Sequence, residues 1–413
     1  MNKKNINLWN NFVSEWGSIN VQEKCLYCLY TFLLIPNVLS IFRAIENRIG
    51  LSFFLEISNG FFITLAVLGS LVAFRNKLKI WDFVFVLALG IYHQLVPVLN
   101  PDVAMFATEG SELFLLSCLP LYLVGRTVDD SKSTTIFLGM SYIALALQIL
   151  FICVLGVEEN EYGEVELMTK AYSFLPFVLF LIWDAIKRRT IVGIIAAVAA
   201  MFLIFSMGTR GPVVCVIFFI CFYFIFFQNV KIIYKILFAV AAFVFYKFSF
   251  EISAVFSAIS ASLGLSTRVF DHILESSLIN YQESNGRDEI WSNVWYYMTS
   301  HDKWFGNGFY TDRLASFQGG YAHNFELELL CDFGLIGGSI ILCVIFLFVY
   351  RAFKNNIDSD SSIFVLVFFC SSLMYLQFSS SFLEARIFWF FLGLCISMNH
   401  RKRLEYSDSE QNL

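Results

Sequence analysis

Three positions in this chain pair a side chain suited to catalysis with a local sequence able to hold it. His323 stands in Ala322-His323-Asn324-Phe325-Glu326-Leu327-Glu328, where a polar segment gives way to a long apolar run. An imidazole titrates near neutrality and can serve as a general base toward a hydroxyl. Glu326, about one helical turn on, is a candidate partner for it. Arg210 lies in Ser206-Met207-Gly208-Thr209-Arg210-Gly211-Pro212, a small-residue turn between two apolar segments. Gly permits close backbone approach there, Pro favours a helix start, and a guanidinium can grip a phosphate bidentately. Arg287 follows Gly286 and opens an aromatic, helix-patterned segment containing Ile290, Trp291, Val294, Trp295 and Met298. Arg386 and Asn324 complete the set of candidate substrate-binding side chains. Each has a plainer reading: an interfacial Arg whose head snorkels to lipid headgroups, a surface Arg in an acidic loop, a His that caps a span.

The elements that must position these residues are membrane helices. The 413 residues are 58% hydrophobic and 15% charged, where a soluble domain carries roughly 25% charge; mean hydropathy is +0.68. A net charge of −5 points to no nucleic-acid partner. The ten cysteines sit mostly inside apolar runs and read as no disulfide framework. Cys25 and Cys28 form a CxxC without a second ligand pair, so packing residues are the simpler account. The expectation from the sequence is neither a metal nor a cofactor.

Spans of about 20 apolar residues fall near 25–43, 53–74, 81–99, 106–124, 134–156, 171–186, 190–207, 212–228, 231–249, 326–350, 362–382 and 385–400. The expected fold is an all-α polytopic membrane protein of about twelve transmembrane helices, or ten to twelve given the tight turns near 187–190 and 208–212. Residues 1–24 form a cytoplasmic N-terminal segment without a cleavable signal peptide. Spans one to nine cover 25–249, a large and partly helical loop covers 250–325, spans ten to twelve cover 326–400, and 401–413 is a cytoplasmic tail. Most of the 28 basic residues fall on one side with the N-terminus inside, which places both termini in the cytoplasm. Two outer segments stand out: the acidic stretch 157–170, and the loop of about 75 residues at 250–325, far longer than an ordinary connector. Ionisable groups are scarce inside the spans, which argues against a coupled transporter with charge at its midplane. Arg210, Arg287, His323, Glu326 and Arg386 instead gather on the outer side.

Taken together, these residues resemble a known family. His323, ten residues, Gly334, two residues, Gly337 is similar to the histidine-to-glycine motif of the O-antigen polymerase and O-antigen ligase superfamily. Ser206 to Gly211 resembles, with one residue more between Ser and Arg, that family's S-x-x-R-G turn. Gly286-Arg287 with Ile290-Trp291, followed by Phe305-Gly306-Asn307-Gly308, resembles the G-R-x-x-x-W … G-x-G stretch of its periplasmic loop. The matching region is about 200–340; the first half matches in hydropathy alone. The resemblance implies a metal-independent, inverting glycosyltransferase of the bacterial inner membrane. Such an enzyme acts on undecaprenyl-diphosphate-linked glycan, both donor and acceptor, at the outer face of the bilayer, and works beside a flippase and a chain-length regulator. On this basis Arg210 and Arg287 are expected on the diphosphate, with His323 and Glu326 on the acceptor hydroxyl. Polymerisation of O-antigen or capsular repeat units is the preferred activity. Ligation of finished glycan to lipid A–core is the alternative, and a polysaccharide flippase is the rival of another class.

Overall fold

The computed structural model of the chain describes residues 31–35, 38, 41, 78–128, 130–151, 161–207, 209–227, 249–262, 287–316, 320–356 and 361–411. All regular structure within them is helical. Four helices are long and apolar enough to cross a membrane, and five shorter apolar helices accompany them. The described residues are therefore those of a helical membrane protein. The predicted spans from 81–99 to 212–228, and the last three, each overlap a helix among the described residues, with 152–156 of the span 134–156 lying outside them. The predicted spans 53–74 and 231–249, most of 25–43, the Cys25–Cys28 pair, and 1–24 lie outside the described residues.

The helices form two compact units, one drawn from 63–134 and 284–413, the other from 31–62 and 135–283. In the first unit, α1 (Ile80–Leu99) leads through a short 3-10 turn into α2 (Ala104–Leu113), and α3 (Leu119–Arg126) continues after a π-helical turn at Phe114–Cys118. Asp82 caps the start of α1 by accepting from the Lys79 amide at 2.9 Å, and its other oxygen pairs with Arg126 at 2.6 Å. A buried ion pair thus ties the first turn of α1 to the last turn of α3. In the second unit, α4 (Asp130–Ile149), α5 (Glu161–Arg188), α6 (Ile191–Ser206), α7 (Arg210–Phe222) and α8 (Ser249–Ser262) follow in order. The helix α5 already begins at Glu161, inside the stretch read as an acidic connector. Asp184, a carboxylate near a span end, is accounted for by Arg188 at 3.0 Å and the Tyr142 hydroxyl at 3.0 Å.

The remaining helices belong to the first unit: α9 (Arg287–Ser300), α10 (Thr311–Ala315), α11 (Phe325–Asn356), α12 (Ser361–Leu376) and α13 (Arg386–Gln411). Three boundaries differ from expectation. The predicted straight span 326–350 is broken at Gly334, whose φ of 70° and ψ of 175° lie in a region only glycine occupies readily. Past the break, the amides of Leu335 and Ile336 donate to the carbonyls of Lys303 and Trp304 at 2.8 and 3.0 Å, and the Asp332 carbonyl accepts from Gly308. The 303–308 loop thus supplies the bonds the helix loses. The second half folds back so closely that a Cβ on Gly338 would lie 2.7 Å from the Leu329 carbonyl oxygen. Residues 335–356 alone extend about 33 Å at 1.5 Å per residue, enough to cross a bilayer. The second difference is that the helix predicted to reach 382 stops at Leu376, and a non-helical seam occupies 377–385 before α13 begins. Third, α13 runs on through the predicted tail to Gln411.

Part of the long loop packs into the first unit. Phe309 and Tyr310 are fully buried among the helices: the Tyr310 hydroxyl meets His93 Nε2 at 3.0 Å, and Phe309 packs edge-on against Tyr92, Phe114, Phe333 and Phe382. Gly110 leaves room for that hydroxyl, since a Cβ there would come within 2.2 Å of it. Elsewhere in this unit, α3 and α13 cross on a pair of glycines. A Cβ on Gly125 would lie 2.1 Å from the Phe390 carbonyl oxygen, and one on Gly393 would lie 2.2 Å from that of Tyr122.

Candidate functional site

The site is assembled around the 377–385 seam. One turn apart on the same face of α9, Arg287 and Trp291 each reach a backbone carbonyl: Arg287 Nη2 donates to Phe378 at 2.9 Å, and Trp291 Nε1 donates to Ala322 at 2.9 Å. The four-residue spacing of Arg and Trp therefore has a structural reason. From the other side, the Ala322 amide donates to Asp312 Oδ2 at 2.8 Å. With both polar groups of Ala322 engaged, and its side chain in a small core with Val294, Met298, Ala315 and Cys331, the chain enters His323 under tight constraint.

His323 has φ +52°, an uncommon backbone for a residue with a side chain. Its ring packs on Tyr321 with centroids 4.2 Å apart, and the Tyr321 hydroxyl meets Ser379 Oγ at 3.3 Å. Its Nδ1 is buried without a hydrogen-bond partner. Burial, and secondarily the charge of Arg287, hold the imidazole pKa down to about 4, so the ring is neutral at physiological pH. A neutral ring can accept a proton. Ser380, in the seam, has φ +68°. Left-handed backbone at a residue with a side chain costs roughly 1–2 kcal/mol, and such strain concentrates at functional sites.

The predicted site residues are placed as follows. Arg287 and His323 come together. Glu326 accepts from Gln377 Nε2 at 2.8 Å, and no hydrogen bond joins it to His323. Asn324 caps α11 by accepting from the Leu327 amide at 2.8 Å, which gives its side-chain oxygen a structural role. Arg386 is the first residue of α13, and its guanidinium makes no hydrogen bond or ion pair with the described residues. A cation at a helix start opposes the positive end of the helix dipole, so an anion bound there would satisfy both. Arg210 likewise opens its helix, after an extended Thr209, and lies in the second unit. Arg287 is the first described residue of α9.

Other residues matter that local pattern alone did not single out. Arg313 ion-pairs with Glu384, joining α10 to the seam, and its guanidinium lies 5.0 Å from the Tyr310 ring. Glu328 accepts from the Ser381 hydroxyl and from the Phe382 amide at 3.2 Å. Asp332 Oδ1 accepts from the Thr311 amide at 3.0 Å. Burial pushes Asp312 up to about 6, although Arg313 and the Ala322 amide favour its charged form. The one available signal was that Glu328 and Asp332 share a helix face at four-residue spacing in an otherwise apolar run. No family model matches this chain, and the search of curated proteins returns no match.

Proposed function

We propose that the protein is a membrane glycosyltransferase that polymerises undecaprenyl-diphosphate-linked oligosaccharide repeat units into surface polysaccharide. The observation that carries this reading is the pairing of Arg287 with a neutral, strained His323: an anion-binding guanidinium beside a proton acceptor. The motif order from Ser206 to Gly337, which resembles the O-antigen polymerase and ligase superfamily, supports it. The Arg386 guanidinium, unpaired among the described residues, and the position of Arg210 at a helix start fit the same chemistry.

In the reaction, an acceptor hydroxyl attacks the anomeric carbon of the donor. The new C–O bond forms as the bond to the diphosphate breaks, and the electron pair leaves with undecaprenyl diphosphate. Attack opposite the leaving group inverts the anomeric centre. Arg287 stabilises the charge that develops on the diphosphate, and His323 takes the hydroxyl proton; the family resemblance alone assigns Arg210 to the diphosphate as well. A guanidinium has five N–H donors, and Arg287 uses one on Phe378, so others remain for phosphate oxygens. Binding of that anion offsets the Arg287 charge and raises the basicity of His323, which couples donor arrival to base strength.

The test is reconstitution with an undecaprenyl-diphosphate repeat unit, read as a ladder of products. His323→Ala, Arg287→Ala and Arg210→Ala should each abolish the ladder with membrane levels unchanged; full activity in all three would overturn the assignment. In cells, loss of chain length with single repeats still attached indicates polymerase. Accumulation of lipid-linked polymer with none attached indicates ligase.

A further inference from the structure

We propose that Asp312, Glu328 and Asp332 form a buried site for a hard divalent cation that fastens α10 to the first half of α11. One carboxylate oxygen from each lies within 4.8 Å of the others, and all three side chains are fully buried. Ca²⁺ binds oxygen at 2.3–2.6 Å, so ligands on opposite sides of one ion stand roughly 5 Å apart, and three oxygens this close can share an ion. The donor set is all oxygen, which selects Ca²⁺ or Mg²⁺ over softer metals.

A second observation, independent of the clustering, is an orphaned acceptor. Asp332 Oδ1 accepts from Thr311, but Oδ2 is buried with no hydrogen-bond partner. A buried carboxylate oxygen in that condition is costly unless something cationic or acidic meets it. No described cation does. Arg313, whose charge bears on Asp312, is paired with Glu384, and its Nε is itself buried without a partner. Three carboxylates therefore face one another without an ion pair among the described residues. A divalent ion would neutralise two of the three charges, leaving Arg313 to offset the remainder through space. Two of the ligands sit on one face of α11 and the third on α10, which leads toward the Ala322 clamp. The ion is structural: it holds the loop that positions His323 and takes no part in the transfer step. The proposal does not depend on the glycosyltransferase reading, because its readouts are binding and stability.

The experiment uses the full-length protein purified in detergent. Metal content is measured by mass spectrometry before and after EDTA, and thermal unfolding is followed as CaCl₂ or MgCl₂ is added back. The expected result is one equivalent of ion per chain, loss of several degrees of Tm on chelation, and saturable recovery with Ca²⁺ or Mg²⁺. Asp332→Asn should abolish the recovery; Asp312→Asn serves if that variant does not fold. The proposal is overturned if the wild type carries no ion and neither cation moves its Tm. It is also overturned if Asp332→Asn in EDTA is as stable as the wild type in Ca²⁺, since a proton shared among the carboxylates would then account for the cluster.

Discussion

The Arg287 guanidinium donates to the Phe378 carbonyl, 91 residues away in the chain, while its charge bears on the His323 imidazole. One side chain thus anchors the seam and adds to the burial that keeps the base candidate neutral. Arg287→Gln removes the charge and leaves burial as the remaining cause of the depressed pKa. The pKa should then move from about 4 upward, stopping short of the ordinary 6.5. Because only the neutral ring is nucleophilic, the acid limb of its acylation by diethyl pyrocarbonate should shift to higher pH by the same amount. An unchanged limb in a folded variant would separate the two residues.

Gly334 and Gly337 should respond in opposite ways to the same change. A Cβ on Gly334 would lie 2.3 Å from the Trp304 carbonyl carbon, and the backbone there disfavours any side chain. Gly337→Ala meets only Phe333 Cβ, at 3.3 Å on its own element. Gly334→Ala should lower the yield of folded protein sharply, the glycine-only backbone alone costing roughly 1–3 kcal/mol. Gly337→Ala should have a midpoint near wild type in thermal unfolding. Gly334 breaks the helix and admits the Trp304–Phe305 backbone, and the close approach of the two halves of α11 is at Gly338.

The glycine crossing of α3 and α13 gives a control away from the site. Gly125→Leu cannot be accommodated without separating the helices, because the obstacle is the Phe390 backbone. Thermal stability in detergent should fall by several degrees, with recovery absent in Gly125→Leu/Gly393→Leu.

Breaking the Arg313–Glu384 pair from the buried side should be the more damaging choice. Arg313 is the more buried partner, with 9% side-chain exposure against 26% for Glu384. Removing one member of a fully buried pair costs about 3–5 kcal/mol. The partial exposure of Glu384 brings the expected effect of Arg313→Leu to about 1–3 kcal/mol, measurable by urea or heat. Glu384→Gln keeps a hydrogen-bond acceptor and should cost less.

Hydropathy made the helices legible, because a bilayer imposes a length of apolar sequence that can be counted directly. It failed where the chain is apolar but not spanning. Residues 325–333 read as the start of a membrane helix because Phe325, Leu327, Leu329 and Leu330 are apolar, yet they form a short helix before a break. The break is written in one glycine whose φ no hydropathy scale registers. Residues 377–382 extend the predicted span on Phe378 and Phe382 alone, and Gln377 with the run Ser379-Ser380-Ser381 hints at the seam. Arg287 and His323 were identifiable from residue type and local pattern. Their partners were not, since Phe378 acts through its backbone, Asp312 and Glu384 come from separate elements, and Asn324 and Glu326 look the same in sequence whether they bind substrate or cap and brace a helix.

The seam at 377–385 also bears on how the protein is made. Arg287, Trp291, Asp312 and His323 leave the ribosome well before the residues that receive Arg287, Tyr321, Glu328 and Arg313. A chain halted after α11 would hold the chemical groups of the site with nowhere to fasten them. The site is therefore completed late in synthesis, when the hairpin of α12 and α13 has been inserted and closes over the earlier loop.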